Sequence, residues 1–321
     1  MNTGTMRAAA IDRFGGPEQL HIQELPLPIP GPGQVRIRIA AAAVNPADLG
    51  MVEGRYRWKE PVRFPLVPGY DAAGTIDAVG EGVTNVNSGD QVIVFSQHSL
   101  TQVGTYAEYI VLPERNIAFV PNGIEIVAAA SLPLAGLTAL QALKSLSLTS
   151  GQTLLINGPL SAVGSFAMQL AARQGIIVLA PTYARDADLT RTLGASFILD
   201  REKELAVQAY QIIPGGVDAA IDVVGGAVAM GAFNAIRNGG CYATVVPEWW
   251  VPGGQFTPQR EITPHVVGVR SDAKQLSELA DLFATGQLTT RVAEVLRLEQ
   301  AAAAHRLLAA GNIPGKIILV P

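Results

Sequence analysis

The sequence predicts an α/β fold in which a parallel-sheet domain is inserted into a mainly antiparallel β domain. Two observations indicate it. Between residues 35 and 112, apolar and polar residues alternate in short runs separated by Gly, Pro, Asn and Asp, the pattern of antiparallel strands with one solvated face. Between residues 126 and 246, continuous apolar runs alternate with helical segments, which is typical of a parallel sheet covered on both faces.

The individual elements follow in chain order. The alternating runs are VRIRIAA, GTIDAVG, DQVIVF and YAEYIVL, and the continuous ones are LLIN, IIVLA, AAIDVV and CYATVV. Helices are predicted around Ala273–Thr285 and Leu298–Ala310, and a last strand at Lys316–Val320. Because this tail returns to the first pattern, we predict one domain from residues 1–125 and 265–321 and an inserted domain at 126–264.

Composition limits the possible functions. The chain has 321 residues, 49% of them hydrophobic and 16% charged, with a net charge of −4, so it can bury a large core and is not expected to bind nucleic acid or an anionic membrane. Neither secretion nor membrane spanning is expected, because the first residues lack a basic stretch followed by an apolar one and no uncharged apolar run of about 18 residues occurs in the sequence. Cys241 is the single cysteine, which suits a reducing compartment, and we expect a cytoplasmic protein.

The segment Thr153–Gly175 predicts a βαβ unit with a dinucleotide site. Gly158 and Gly164 flank the turn between strand and helix, and a helix start offers unpaired N–H groups and a positive dipole end to a pyrophosphate. The turn also contains Ser161, Ala162 and Val163. Ser161 stands where a middle glycine is usual, so the alternative is that Gly164 only allows close packing of helix and strand.

The end of the second strand of this unit bears on the choice of cofactor. It reads Ala180-Pro181-Thr182-Tyr183-Ala184-Arg185, and no acid precedes Asp186. An acid here binds the ribose hydroxyls of NAD, whereas Arg or a small hydroxyl residue accommodates the 2′-phosphate of NADP. Thr182, Tyr183 and Arg185 therefore favour NADPH. The alternative is that Arg185 pairs with Asp186 or Asp188 on the surface.

No metal site is predicted. One cysteine cannot build a thiolate zinc site. The histidines lie far apart without ligand spacing, and each is interpreted as a surface residue or a satisfied polar residue. They are His21, His98, His265 and His305.

A collinear set of short motifs resembles a known family. The motifs are AAVNPADL, FPLVPGYDAAGTIDAVGEGV, SGDQVIV, GTYAEYIVLP, AASLPLAGLTALQAL, GPLSAVGSFAMQLA, GVDAAIDVVGG and IPGKIILV. Together they resemble the zinc-free, quinone oxidoreductase-like branch of the medium-chain dehydrogenase/reductase superfamily, from about Met6 to Val320. The resemblance implies a partly open GroES-like β-barrel domain, an inserted Rossmann domain, a nicotinamide in the cleft between them, and a homodimer.

The resemblance also implies site residues. Asn45 stands where zinc relatives have a cysteine and Tyr70 where they have a histidine. Asn45 and Tyr56 are the expected catalytic residues, since an amide or a phenol can donate to a developing oxyanion. The alternatives are a turn at Asn45-Pro46 and an aromatic cleft rim at Tyr56. Asp48 is expected to be structural.

Further expected ligand contacts lie along the chain. The cofactor positions that the family pattern implies are Thr138, the Gly158–Gly164 turn, Val224, Gly225 and Lys316. Each has a packing alternative. Tyr70, Trp249 and Trp250 are expected at the substrate, where the indoles of the turn-rich segment Pro247–Pro264 would stack on a flat acceptor. The alternative for that segment is a dimer contact or a lid over the core.

These observations predict an NADPH-dependent oxidoreductase that acts on a small-molecule substrate. Without a Lewis acid, conjugated acceptors such as quinones and α,β-unsaturated carbonyl compounds are favoured over simple alcohols. Pro159 lacks an N–H and Leu160 adds bulk in the phosphate turn. The alternative is therefore a non-redox or repurposed member of the fold, with weakened cofactor binding.

Overall fold

The computed structural model describes residues 4–56, 58, 60–246, 261–311 and 313–321. Its elements, in chain order, are β1 Thr5–Ala10, β2 His21–Pro26, β3 Gln34–Val44, α1 Pro46–Val52, β4 Asp71–Val79, β5 Gln91–Phe95, α2 His98–Thr101, β6 Tyr109–Pro113, β7 Ile117–Phe119, α3 Ile126–Ala129, α4 Pro133–Leu146, β8 Thr153–Asn157, α5 Ala162–Arg173, β9 Ile177–Thr182, α6 Ala187–Thr192, β10 Phe197–Asp200, α7 Leu205–Ile212, β11 Val217–Asp222, α8 Gly226–Asn234, β12 Ile236–Thr244, β13 Thr263–Val266, α9 Ala273–Ala284, β14 Val292–Arg297, α10 Ala301–Ala309 and β15 Lys316–Val320.

The chain divides into two compact units. Unit 1 comprises Met1–Leu137 and Arg270–Pro321, and unit 2 comprises Thr138–Val269. The division falls inside α4 and after β13, whereas the sequence pattern changes at 125/126 and 264/265, so the predicted domain bounds stay a prediction. None of the helices in the described ranges combines the length and apolar character needed to cross a membrane.

Unit 1 is built on a seven-stranded sheet. Its strands follow the order β14-β15-β3-β4-β5-β7, and β6 also pairs with β3. The pairs β3/β4, β4/β5 and β3/β6 are antiparallel, as the alternating runs predicted. Along β3, Val35, Ile37 and Ile39 are buried while Arg38 is exposed, because successive side chains of a strand point to opposite faces. The α/β prediction with an antiparallel part is confirmed.

Unit 2 contains a six-stranded sheet of order β10-β9-β8-β11-β12-β13. Every pair in this sheet is parallel, and all five residues of β8 are buried, as the continuous apolar runs predicted. The strand order reverses at β8, which has β9 on one side and β11 on the other. In open α/β sheets, ligands bind outside the carboxyl ends of the strands at such a reversal. The ends of β8 and β11 therefore mark the expected site.

Candidate functional site

Asn45 lies in unit 1 as the N-cap of α1 and is 3% exposed. Its side-chain nitrogen donates to the carbonyl of Ala43 at 3.2 Å and to Asp71 Oδ2 at 3.0 Å, and its Oδ1 accepts from Lys316 Nζ at 2.5 Å. The amide donors are therefore directed into the protein. A direct bond from Asn45 to a substrate oxygen would require one of these contacts to break, so its catalytic role stays a prediction.

Lys316, the first residue of β15, supplies a buried positive charge to unit 1. Its Nζ is 3.7 Å from Asp71 Oδ2, with the two side chains 5% and 0% exposed. Burial raises the pKa of Asp71 to about 6, and the Lys316 ammonium opposes that rise. Burial lowers the pKa of Lys316, and the Asp71 and Asp48 carboxyls partly offset this by raising it. The structure thus places Lys316 beside Asn45, and its expected cofactor contact stays a prediction.

Asp48 continues this buried network on the other side of Asn45. Its Oδ2 accepts from the backbone N–H of Asn45 at 2.8 Å and from the hydroxyl of Tyr106 at 3.1 Å. The Tyr106 oxygen is in turn 3.2 Å from His305 Nε2. The bond from Asn45 N–H to Asp48 is the loop-holding contact expected from the sequence. Tyr106 and His305 had no predicted catalytic role, although Tyr106 lies in the quoted motif GTYAEYIVLP.

The predicted donors Tyr56 and Tyr70 belong to an aromatic cluster in unit 1. Tyr56, just after α1, is half-buried and lies 6.0 Å from Trp58 between ring centroids. Tyr70 stacks on Phe95 at 5.8 Å and lies 6.0 Å from His98. Burial raises the pKa of Tyr70 to about 12, and burial raises that of Tyr56 still further. Both phenols therefore keep their protons and can act as donors.

The donor set of unit 1 does not resemble a zinc site. Asn45 and Tyr70 offer an amide and a phenol, neither of which is a preferred zinc ligand. Within the described residues, no group of three or more His, Cys, Asp or Glu side chains could hold a metal ion. His98 and His305 are buried, and each has a paired Nε2 and an Nδ1 without a partner among the described residues, so they are not surface residues and their rings are satisfied only in part.

In unit 2, the phosphate turn between β8 and α5 has the expected shape. Gly158 has φ +84°, and a Cβ at Gly164 would collide with the Gly158 carbonyl oxygen, so a side chain at 164 would close the turn. Ser161 caps α5, since its hydroxyl accepts from Gly164 N–H at 3.0 Å and donates to the Gly158 carbonyl at 2.9 Å. The first-turn N–H groups of Ala162 and Val163 are then the donors available to an anion.

Asp222 anchors the neighbouring loop at the end of β11. It is 1% exposed and accepts hydrogen bonds from the side chain of Asn157 at 2.7 Å and from the backbone N–H groups of Val224 and Gly225 at 3.2 and 3.1 Å. The Tyr242 hydroxyl donates to it at 3.1 Å. Asp222 thereby fixes the predicted cofactor residues Val224 and Gly225. Sequence reasoning missed it, although Asp222 is the one charged residue inside the quoted apolar run AAIDVV.

A cationic site lies at the carboxyl ends of β9 and β10. Thr182, the last residue of β9, is 4% exposed. The guanidinium carbons of Arg185 and Arg201 each lie 4.5 Å from the centroid of the Tyr183 ring. Arg185 is also 3.6 Å from Asp186, a contact that the alternative interpretation expected. Arg201 was missed, and the signal for it was its position directly after the neighbouring parallel strand.

Three predicted site residues remain: Thr138, Trp249 and Trp250. Thr138, on α4, is 6% exposed. Trp249 and Trp250 lie outside the described residues. The expected contacts of all three with cofactor or substrate stay predictions.

Two family models match the chain. An alcohol dehydrogenase GroES-like domain matches residues 31–122, and a zinc-binding dehydrogenase domain matches residues 193–319. The first match lies within unit 1, and the second includes parts of both units. The matches support the order of a GroES-like part and a nucleotide-binding part.

Individual relatives cover most of the chain. It is 30% identical to the chloroplastic NADPH-dependent alkenal/one oxidoreductase of Arabidopsis thaliana over 78% of its own length and 65% of that protein, so it spans less than two thirds of this relative. The quinone oxidoreductase structure from Coxiella burnetii has a TM-score of 0.86 at 28% identity, covering 99% and 100% of the two chains. An NAD-dependent alcohol dehydrogenase structure has a TM-score of 0.85 at 30% identity, covering 98% and 100%.

The fold and the relatives together define the class. The protein belongs to the medium-chain dehydrogenase/reductase superfamily of oxidoreductases, which confirms the resemblance and the fold class of a GroES-like domain with an inserted Rossmann domain. Members of this superfamily bind nicotinamide cofactors and act on small molecules.

Proposed function

We propose that the protein is an NADPH-dependent reductase of quinones or other α,β-unsaturated carbonyl compounds that works without a metal. The observation that carries the proposal is the pair of phenols, Tyr56 and Tyr70, in the aromatic cluster of unit 1. A planar conjugated acceptor suits such a cluster, because aromatic faces pack on it. The name of the Arabidopsis relative, with NADPH and alkenal or alkenone in it, supports the same reaction class.

The proposed chemistry needs a hydride and a proton. A bound NADPH supplies the hydride, which adds to a carbon conjugated with the carbonyl group. The negative charge that develops on the carbonyl oxygen then needs a donor. Tyr56 is half-buried and keeps its proton because its pKa is raised. We assign Tyr56 as the donor to that oxygen and Tyr70 as its neighbour in the substrate pocket.

The test is Tyr56→Phe, which removes the hydroxyl and keeps the ring. We expect kcat with a good acceptor to fall about 100-fold, the usual scale for loss of a positioned acid, with intact NADPH binding. Tyr109→Phe is the matched control, because Tyr109 on β6 contacts Arg36 at 5.7 Å and lies outside the aromatic cluster. An unchanged rate in Tyr56→Phe would exclude Tyr56 from the mechanism.

The choice of NADPH over NADH rests on the cationic site at Tyr183. Arg185 and Arg201 both contact this ring, and two guanidinium groups suit a phosphate far better than a free hydroxyl. The start of α5, with the Ala162 and Val163 N–H groups, suits the pyrophosphate. These residues fit the dinucleotide.

We expect Arg201→Ala to reduce the ratio of NADPH to NADH affinity about tenfold, because one charge-assisted phosphate contact is lost. Fluorescence titration with both cofactors measures the ratio. Arg191→Ala is the control, since Arg191 pairs with the exposed Asp188 at 3.0 Å and is outside the Tyr183 contacts. Equal affinity of the wild-type protein for the two cofactors would overturn the NADPH assignment.

Metal independence is supported by the amide and phenol at Asn45 and Tyr70, and by the buried ammonium of Lys316 beside Asn45. An ammonium and a zinc ion at the same place would repel each other. We expect elemental analysis of the purified protein to find less than one zinc per ten chains, and a chelator to leave the rate unchanged. Loss of activity on chelation, restored by zinc, would contradict this part of the proposal.

A second candidate, a non-redox or repurposed protein, is favoured by one feature of the phosphate turn. The Ser161 hydroxyl is used to cap α5, and Pro159 has no N–H, so the turn offers fewer donors than a glycine-rich one. NADPH binding without oxidation across a panel of quinones and enones would favour this candidate. Oxidation with any of them favours the reductase.

We also propose a cytoplasmic homodimer. Among the described residues, β13 is the end strand of the unit 2 sheet, and an end strand can pair with a second copy. Cys241 alone cannot form an intrachain disulfide. Light scattering coupled to size-exclusion chromatography measures the mass, for which we expect twice 33.7 kDa.

A further inference from the structure

Three titratable groups of unit 1 form a continuous hydrogen-bonded chain behind the candidate site. His305 Nε2 is 3.2 Å from the Tyr106 oxygen, and the Tyr106 hydroxyl is 3.1 Å from Asp48 Oδ2. The three residues come from α10, from the segment before β6, and from α1, and each is 0% exposed. Groups of this kind at these distances can pass protons from one to the next.

Each end of this hydrogen-bonded chain is a buried atom that lacks a hydrogen-bond partner among the described residues. Asp48 Oδ1 and His305 Nδ1 are buried polar atoms without a hydrogen-bond partner among the described residues. Buried polar atoms are nearly always paired, so an unpaired one calls for a specific explanation such as a bound water or a catalytic role. Here the two unpaired atoms are the two termini of one chain, which is the arrangement that a relay requires.

We propose that Asp48, Tyr106 and His305 form a proton relay that replaces the proton given up by Tyr56 in the reduction. The inference rests on the proposed function, because that reaction consumes one proton per turnover. None of the three residues contacts the substrate in this proposal. They are positioning residues that act through Tyr56.

The hydrogen bonds define the direction of transfer. Asp48 Oδ2 already accepts from Asn45 N–H and from Tyr106, so the acidic proton of a neutral Asp48 lies on Oδ1. After Tyr56 has protonated the substrate oxygen, the Oδ1 proton passes through a water molecule to the Tyr56 phenolate. Asp48 Oδ2 then takes the Tyr106 proton, the Tyr106 oxygen takes the proton from His305 Nε2, and the buried His305 Nδ1 takes one through a water molecule that links it to solvent. One proton moves through the chain, and no electron moves.

The charges around Asp48 suit this role. Burial and the neighbouring Asp71 carboxyl raise the pKa of Asp48 to about 7, while the Lys316 ammonium and the Tyr106 hydroxyl oppose the rise. Burial lowers the pKa of His305 to about 4, so its Nε2–H form is neutral. Burial is the main cause that raises the pKa of both Tyr56 and Tyr70, and a charged Asp48 carboxyl adds to the rise.

The test uses Tyr106→Phe in the full-length protein. This change removes the middle hydroxyl and keeps the ring that meets His305 edge-on at 5.7 Å. We expect kcat to fall about tenfold with KM within about twofold, because binding is unaffected while proton delivery slows. The solvent isotope effect on kcat should rise. Tyr109→Phe, three residues further on, is the control and should leave both quantities unchanged.

A second measurement does not depend on turnover. Infrared spectroscopy of the wild-type protein below pH 7 should show the carbonyl stretch of a buried protonated carboxyl, absent in Asp48→Asn and shifted in Tyr106→Phe. A wild-type protein without this band overturns the relay. So does a folded Tyr106→Phe variant whose kcat and solvent isotope effect equal those of the wild type, and in that case the reductase proposal stands. A wild-type protein that does not oxidise NADPH with any quinone or enone of the panel refutes the reductase proposal and the relay with it.

Discussion

The two buried aspartates at the candidate sites are used in opposite ways. In unit 2, Asp222 accepts from Asn157, Val224, Gly225 and Tyr242, and both of its oxygens are engaged. In unit 1, Asp48 accepts three hydrogen bonds on Oδ2 and none on Oδ1 among the described residues. A carboxylate whose oxygens are all paired holds a loop in place, whereas one with an open oxygen can exchange a proton.

The surroundings explain the difference. Asp222 receives backbone N–H groups from the turn that it holds. Asp48 shares its site with a second carboxyl, Asp71, and with one ammonium, that of Lys316. One cation cannot compensate two buried carboxylates, so one of the pair keeps its proton. Both carboxyls are buried, so the partners around each one, and not burial alone, distinguish the loop-holding Asp222 from Asp48.

The largest effect should follow from removing the cation of unit 1. Lys316→Met leaves Asp71 buried without its counter-charge, and we expect a loss of about 3–5 kcal/mol in the free energy of unfolding, the usual cost of breaking a buried ion pair from one side. Chemical denaturation measures it. The double variant Lys316→Met with Asp71→Asn restores neutrality and should recover most of the loss. If the double variant is as unstable as the single one, charge balance is not what stabilises this network.

A smaller effect is expected for the structural aspartate of unit 2. Asp222→Asn places an NH₂ group against donors from Val224, Gly225 or Tyr242 and should cost about 2 kcal/mol. Because the Val224–Gly225 turn is then released, NADPH affinity should also weaken about tenfold. Asp188→Asn, at a fully exposed side chain, is the control. Unchanged cofactor affinity in Asp222→Asn would separate this turn from the cofactor site.

The smallest effect concerns the pH dependence of stability. The pKa of Asp48 is raised to about 7 from its ordinary 3.8, so the folded protein binds this proton more tightly than the unfolded chain. Its contribution is present at low pH and is lost as pH rises from about 4 to 7. Relative to Asp48→Asn, the wild-type protein should lose about 1 kcal/mol or more between pH 5 and pH 8. If the free energies of unfolding of the wild-type protein and of Asp48→Asn change in parallel with pH, Asp48 does not titrate in this range.

Much of the fold could be predicted from the sequence, because periodicity is local. The βαβ unit at Thr153–Gly175 and the final strand Lys316–Val320 lie where the apolar pattern placed them. The phosphate turn was predicted for the same reason, since its residues are consecutive. The roles of its side chains toward a cofactor stay predictions.

The buried network could not be predicted, because its partners are distant in sequence. Tyr106 is 58 residues from Asp48 and 199 from His305. Lys316 is 271 residues from Asn45. No local pattern records such pairings. Arg201 is an intermediate case, since the adjacency of β9 and β10 would have placed it near Tyr183 if β10 had been recognised.

The late position of Lys316 has a consequence for how the protein is made. During synthesis Asp48 and Asp71 leave the ribosome long before the strand that carries their counter-ion, which follows Asn45 by 271 positions. Before Lys316 is available, closing the pocket would bury the charge of the two carboxyls without a counter-ion and away from water. Nascent chains stalled upstream of β15 should therefore hold this region open and bind chaperones, and its closure should be the last event of folding.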